Sequence, residues 1–355
     1  MITFILIVIV IGILILGHEW GHFFAARRLG VKVEEFGLGF PPRIFSRMKN
    51  GVRYSFNALP FGGFVKIFGE HGEGAGDRAS FVSRPVWQRF IILAAGVGMN
   101  LVLAWVFFSV AAGIGVPRVG DESDTATPVS ILEVVPGSPA EHAGLKFGDE
   151  ILQMRTPAVS LRIETEKDVQ DFTDAYRGEE IIMTVRRQAD VREIQATPRI
   201  TSPDGEGPLG IVLGRIVISR APWYLAPVEG FRSLWMSVVG TLEGLGQIVR
   251  DLVVKHGAGV AVSGPIGIFL FAADSRALGA AYFLQFVGVI SVNLAILNIL
   301  PIPALDGGRV LFLVIEKVRG RRVAARTEDR THAIGFIVLI LLMALVTWHD
   351  IVHLL

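Results

Sequence analysis

Apolar residues gather in four charge-free runs along the chain. The first covers residues 1–17. The second spans 27 residues (91–117), the third 28 (278–305) and the fourth 16 (333–348), continued by a largely apolar tail to residue 355. A helix that crosses a bilayer core needs about 20 mainly apolar residues. The second and third runs meet that outright. The first does so if its helix continues through the polar cluster at 18–22, and the fourth does so with its tail. The first run lacks a basic flank and shows no cleavage site before Arg27, so it reads as a retained membrane helix rather than a signal peptide. The pattern therefore predicts four transmembrane helices.

The polar stretches between the runs differ in character. Residues 27–89 carry eleven Lys or Arg and residues 309–330 carry seven. Excess basic charge keeps a loop in the cytoplasm, so both should lie inside. Both termini and the stretch 118–277 then face the other compartment. The first part of that stretch alternates as strands do, at 129–135, 150–154, 181–187 and 208–213. Between the first two, Pro136-Gly137 makes a turn. Ser138, Pro139 and Glu141 open a short helix with a capping box, and Gly144 closes it. The segment VVPGSPAEHAGLKFGDEIL resembles a bacterial PDZ domain, a resemblance that covers about 128–215 and implies capture of an extended chain end at a sheet edge. From 222 to 255 the periodicity turns helical, with Trp223, Phe231, Leu234, Trp235, Val238, Leu242 and Leu245 between charged residues. Two placements fit it, on the outer leaflet surface or against the PDZ-like domain.

Composition narrows the chemistry. Charged residues are 19%, against about 25% in soluble domains, and the mean hydropathy is +0.52. The net charge of +1 gives no field that would draw nucleic acid. Without cysteine, disulfides, thiolate metal sites and cysteine nucleophiles are excluded. Any metal must be held by His, Asp or Glu.

The sequence Gly17-His18-Glu19-Trp20-Gly21-His22 contains H-E-x-x-H at the end of the first run. On a helix, residues four apart lie one above the other, so both imidazoles reach one metal and Glu19 sits beside its water. Burying a carboxylate and two imidazoles in a membrane run is costly unless they serve a site. Zinc needs a third protein ligand and an open position. The third run ends Asn298-Ile299-Leu300-Pro301-Ile302-Pro303-Ala304-Leu305-Asp306-Gly307-Gly308, where two prolines break the helix and Asp306 is the sole acid. Asp306 alternatively N-caps a following helix at 310–318. Depth favours the ligand role: His18 lies about 24 Å into its span, and the third span also runs inward to Asp306. A second i,i+4 pair, His349 and His353, falls on the outer face and reads as interfacial anchoring. Glu70, His71 and Glu73 read as a solvated Gly-rich loop, and His142 as a surface residue of the capped helix.

With GHEWGH and NILPIPALDGG in register with four spans, the chain resembles the site-2 protease family of intramembrane zinc metalloproteases, regulator-of-sigma-E proteases included. FGLGF, LPFGGFVKIFG, RPVWQRFIILAAGVGMN and SGPIGI resemble that family's intervening segments, so the likeness covers nearly the whole chain. It implies a polytopic α-helical membrane protein with four transmembrane helices, a re-entrant β-hairpin (GVRYSFNALPFGGFVKIFG) and an inserted β-rich PDZ-like domain. The expected parts are 1–117, 128–215, 222–277 and 278–355. It implies Zn2+ on His18, His22 and Asp306, Glu19 as catalytic acid/base, and Asn298 as a substrate-positioning residue. The implied setting is a bacterial inner membrane. The implied substrates are single-span membrane proteins, such as anti-sigma factors or signal-peptide remnants. One PDZ-like domain is found where the sigma-E type carries two, so gating by a tandem pair does not carry over. The reading from a different class is a non-catalytic membrane adaptor that recruits partners through the PDZ-like domain.

Overall fold

The computed structural model describes residues 2–120, 127–187, 190–203, 205–254 and 264–354. Two compact units emerge: residues 1–114 together with 221–355, and residues 115–220.

The first unit is mainly helical. Helices α1 (Ile2–Arg28), α2 (Val86–Ile114), α7 (Ala280–Ile299) and α9 (Ala325–Leu354) each contain a stretch long and apolar enough to cross a membrane. All four match the apolar runs, but their ends differ for local reasons. The first helix continues through the polar cluster to Arg28 and stops where Gly30 turns left-handed at φ +72°. The second starts before its charge-free run, at Val86 just after Pro85, and so takes in Arg89. That charge is tolerated because Arg89 pairs with Glu316 of α8 (Asp306–Arg319) at 2.6 Å. In return, the Arg89 guanidinium holds the Glu316 carboxyl below its usual range. The third helix ends at Ile299, before Pro301.

Helix α2 is central, with α1, α7, α8 and α5 (Ala226–Val254) packed against it. Glycine permits the α1–α2 approach: a Cβ on Gly21 would fall 2.2 Å from the Ala95 carbonyl oxygen. Helix α5 places Leu234, Val238 and Leu245 on Ala104, Phe108, Val292 and Ile296. Thr241 Oγ1 of α5 also lies 2.8 Å from Asn293 Oδ1 of α7. The amphipathic helix read from periodicity is therefore present, packed on α2 and α7. Periodicity fixes which face is apolar but not what covers it. The rest of that segment, 255–263 with the first residue of SGPIGI, lies outside the described residues. Helix α6 (Pro265–Leu278) follows.

A two-stranded antiparallel hairpin, β1 (Val33–Lys49) with β2 (Val52–Ile67), packs beside α1. The hairpin expected at 51–69 supplies only its second strand; FGLGF lies in the first. Its tight turn is Asn50-Gly51, both at positive φ, which suits the twist of a two-residue hairpin. Val33, Val52 and Ile67 of the hairpin join Phe23, Ala26, Ile92, Leu93 and Leu313 in one buried cluster.

The second unit is an antiparallel sheet in the order β3-β9-β4-β5-β7-β8, with β6 on β5. The strands are β3 (Val116–Val119), β4 (Val129–Val134), β5 (Glu150–Arg155), β6 (Ser160–Arg162), β7 (Ile181–Arg187), β8 (Asp190–Ala196) and β9 (Ile211–Ser219). Helices α3 (Pro139–His142) and α4 (Glu166–Ala175) complete it. Its core centres on Ile131, Ile151, Met154, Phe172, Ile181 and Met183. Half of the α3 capping box forms: Ser138 Oγ accepts from Glu141 N at 3.2 Å, but Glu141 Oε2 accepts the Gly137 N–H instead of that of Ser138, which goes to Val135 O; Gly144 is left-handed at φ +80°. The strand expected at 208–213 begins later, at Ile211, because Gly210 is left-handed at φ +71°. Helix α4 escapes the apolar pattern, although its Thr165–Asp168 capping box is written in the sequence.

Candidate metal centre

Two elements position the cluster. His18 and His22 are one turn apart on α1 and buried, with their Nε2 atoms 3.2 Å apart. Asp306 arrives on the first turn of α8. Its Oδ2 lies 2.9 Å from His18 Nε2 and 3.2 Å from His22 Nε2. The loop that delivers it folds back on itself. Leu305 N bonds Ile302 O at 3.2 Å, and Gly308 N bonds Leu305 O at 3.0 Å. A Cβ on Gly307 would sit 2.1 Å from the Leu300 carbonyl oxygen, and one on Gly308 2.5 Å from that of Ile302. The glycine pair is therefore needed for close packing of the loop. Asp306 does not N-cap α8: Leu305 occupies that position and Asp306 is the first helical residue.

The partners of the far ring nitrogens fix what the near ones offer. His22 Nδ1 lies 2.8 Å from the Ile92 carbonyl oxygen, which can only accept, so Nδ1 carries a proton and the neutral ring presents a bare Nε2. His18 Nδ1 lies 3.3 Å from the side-chain amide of Asn100, whose Oδ1 is buried without a hydrogen bond. Turning that amide over would place Oδ1 on the His18 Nδ1–H, and the neutral ring would then present a bare Nε2 too. Asp306 Oδ2 is likewise buried without a hydrogen bond. With both rings neutral, three electron-pair donors face one another, an arrangement that suits a cation. Ligands at zinc's 2.0–2.1 Å bond length in tetrahedral array stand about 3.3 Å apart, close to these separations. Gly96 of α2 makes the room: a Cβ there would lie 2.3 Å from His22 Nε2.

Glu19 is half-buried and lines two cavities. One, of about 400 Å³, also touches His22, Phe64, Val65, Asp306 and Arg309. The other, of about 250 Å³, touches His18, Asn100, Asn298 and Asp306. Strand β2 comes within reach at Gly63, where a Cβ would fall 3.6 Å from Glu19 Cγ. Asn298 shares the smaller cavity.

His18, His22 and Asp306 are the one three-residue cluster of potential ligands among the described residues. The remaining candidates have other partners. His71 Nδ1 is 3.2 Å from Asp329 Oδ1 at the surface, and Glu70 pairs with Arg309. Glu73 lends its carbonyl to Ser80 Oγ, and His142 Nδ1 lies 2.8 Å from Ser138 O. Of the HDIVH segment, Asp350 accepts the Gly264 and Gly267 N–H groups at the start of α6, both at 3.1 Å. The side chain of His353 lies outside the described residues. The sequence reading did not single out Asn100, Gly96 or the Ile92 carbonyl. All three lie in a quoted motif, but nothing in a one-dimensional pattern aims them at an imidazole.

Comparison with known proteins covers almost the same span. Residues 6–353 match the profile described as Peptidase family M50. A relative from Clostridium perfringens is 32% identical over 340 residues, 96% of this chain and 95% of its own. The zinc metalloprotease RasP of Oceanobacillus iheyensis is 28% identical over 449 aligned positions, 99% of each chain. The regulator of sigma-E protease RseP of Salmonella typhimurium is 29% identical over 443, 97% of each. Among solved structures, the PDZ domain of an SdrC-like protein from Listeria monocytogenes aligns over 92% of its length and 27% of this chain. Its identity is 15% and its TM-score 0.21.

Proposed function

The chain belongs to peptidase family M50 and is a zinc metalloprotease of that family; from that premise we propose that it cleaves single-span membrane proteins within or near their membrane segment. One observation carries the reading: three potential ligand atoms converge to within 3.2 Å, and Glu19 lines the same cavities. The donor set of two imidazoles and one carboxylate, with Oδ2 otherwise unpartnered, fits zinc with an open fourth position. His18, His22 and Asp306 would hold the ion, which when bound acidifies water and polarises a carbonyl. Glu19 takes the proton from the attacking water on its carboxylate and returns it to the leaving amine nitrogen. An adaptor has no use for such a set, so no observation favours that alternative.

The bilayer supplies the setting. Four helices of sufficient length and the two basic loops support a bacterial membrane protein with the 27–89 and 309–330 loops inside. In that orientation the termini and the β-rich unit face the other compartment. A substrate helix hides its peptide bonds behind intrahelical hydrogen bonds, so it must unwind before attack. The β2 backbone near Gly63–Val65 can hold the unwound segment by strand addition. The hairpin would do this from within the membrane as a re-entrant element. Asn298 can satisfy backbone groups that the unwinding frees. The β-rich unit is read as the PDZ-like domain that meets the substrate's outer end. Anti-sigma factors and signal-peptide remnants are the substrate classes this reading favours.

Metal removal tests the proposal. Purified protein reconstituted with a single-span substrate is expected to lose cleavage when stripped by a chelator and to regain it with zinc. Undiminished cleavage by protein shown metal-free by elemental analysis overturns it. Asn100 gives a second, milder prediction. Asn100→Leu keeps the volume but removes the His18 partner, and should weaken zinc binding about tenfold. Asn100→Asp keeps an acceptor and should bind at least as tightly as wild type. Competition with a chromophoric chelator measures both.

A further inference from the structure

Ala304 stands out in the loop that presents Asp306. Its φ is +80°, and the only other non-glycine residue with positive φ among the described residues is Asn50, in its hairpin turn. An alanine side chain disfavours that conformation, so something outside the loop must hold it. The nearest candidate is on α9. The Ala304 backbone N–H donates to His332 Nδ1 at 2.9 Å. The Phe312 ring of α8 packs on the same imidazole, with ring centroids 5.8 Å apart. One turn further along α9, Gly335 meets Pro303: a Cβ there would fall 2.5 Å from both the Pro303 Cβ and its carbonyl oxygen. Two features of α9 thus grip two adjacent loop residues, two and three positions before Asp306.

We propose that His332 is a positioning residue, which accepts the Ala304 N–H to hold the loop in the left-handed turn that carries Asp306 to the two imidazoles. Gly335 lets α9 come close enough for that bond to form. The inference rests on His18, His22 and Asp306 being metal ligands. His332 itself touches neither the metal nor the substrate; it acts only through Ala304. With Nδ1 accepting, the ring proton is on Nε2, which is buried without a hydrogen-bond partner. The imidazole is therefore kept in place for one bond, the one to the loop.

The two ring nitrogens make the test specific. In His332→Asn, Oδ1 falls where Nδ1 was and still accepts from Ala304. In His332→Gln, the acceptor moves to the Nε2 position and cannot. Full-length protein, detergent-solubilised and stripped of metal, is titrated with zinc alone against a competing chelator. His332→Asn is expected to bind within about twofold of wild type, and His332→Gln about tenfold more weakly. Glycine adopts positive φ freely, so Ala304→Gly added to His332→Gln should restore most of the loss. Equal affinity of the Asn and Gln variants, in either direction, overturns the proposal. So does a Gln variant that Ala304→Gly fails to rescue, since a general packing defect would not respond to that change. Wild type and His18→Ala run alongside separate the two layers. Wild type that holds no zinc sinks the metal centre itself, whereas wild type that binds while both His332 variants match it sinks only the positioning role.

Discussion

Glu19→Gln should abolish cleavage while zinc stays bound. Glutamine keeps the size of the side chain in the cavities beside His18, His22 and Asp306, but it cannot take up a proton. General acid–base catalysis contributes about 10²–10⁴-fold, and here one carboxylate serves both the attack and the departure of the amine. Loss of at least about a thousandfold is expected, with metal content unchanged because Glu19 is not among the three converging ligands. Gel analysis of a reconstituted single-span substrate, paired with elemental analysis of the enzyme, checks both halves. Cleavage at the wild-type rate would remove Glu19 from the mechanism. Loss of zinc together with activity would make it a ligand.

Asp306→Ala should instead empty the site. It removes the one anionic donor and leaves two imidazoles on a single helix. Loss of a group that merely orients a ligand costs about 10–100-fold in affinity, so loss of a ligand should exceed about a hundredfold. Chelator competition on the full-length protein reads this directly. Zinc held at wild-type affinity by Asp306→Ala would show that α8 does not complete the centre. The contrast with Glu19→Gln is the informative part, since both variants stop cleavage and only one should release the metal.

Helix geometry explains why half of the centre is legible in sequence. His18 and His22 are four residues apart on one helix, and that spacing alone brings their Nε2 atoms together. Asp306 comes from a different helix, nearly three hundred residues later. Its candidacy rests on being the sole acid at the end of an apolar run and on a depth argument from loop charges. The capping alternative fails for a reason the sequence does not state: the Pro-rich loop makes Leu305 the N-cap and turns Asp306 inward.

Local patterns along the chain suffice for the apolar runs that become four long helices, for the Ser138 cap of α3 and for the H-E-x-x-H pair. Each follows from interactions within a few residues, where periodicity and local hydrogen bonding decide the outcome. Long-range packing, by contrast, decided that β1 pairs with β2, that α5 lies on α2 and α7, and that Asn100, Ile92 and Gly96 surround the imidazoles. It also decided that α9 grips the loop bearing Asp306. Those contacts join residues far apart in the chain. What selects them is the fit of close-packed surfaces and the pairing of buried polar groups, neither of which has a period along the sequence.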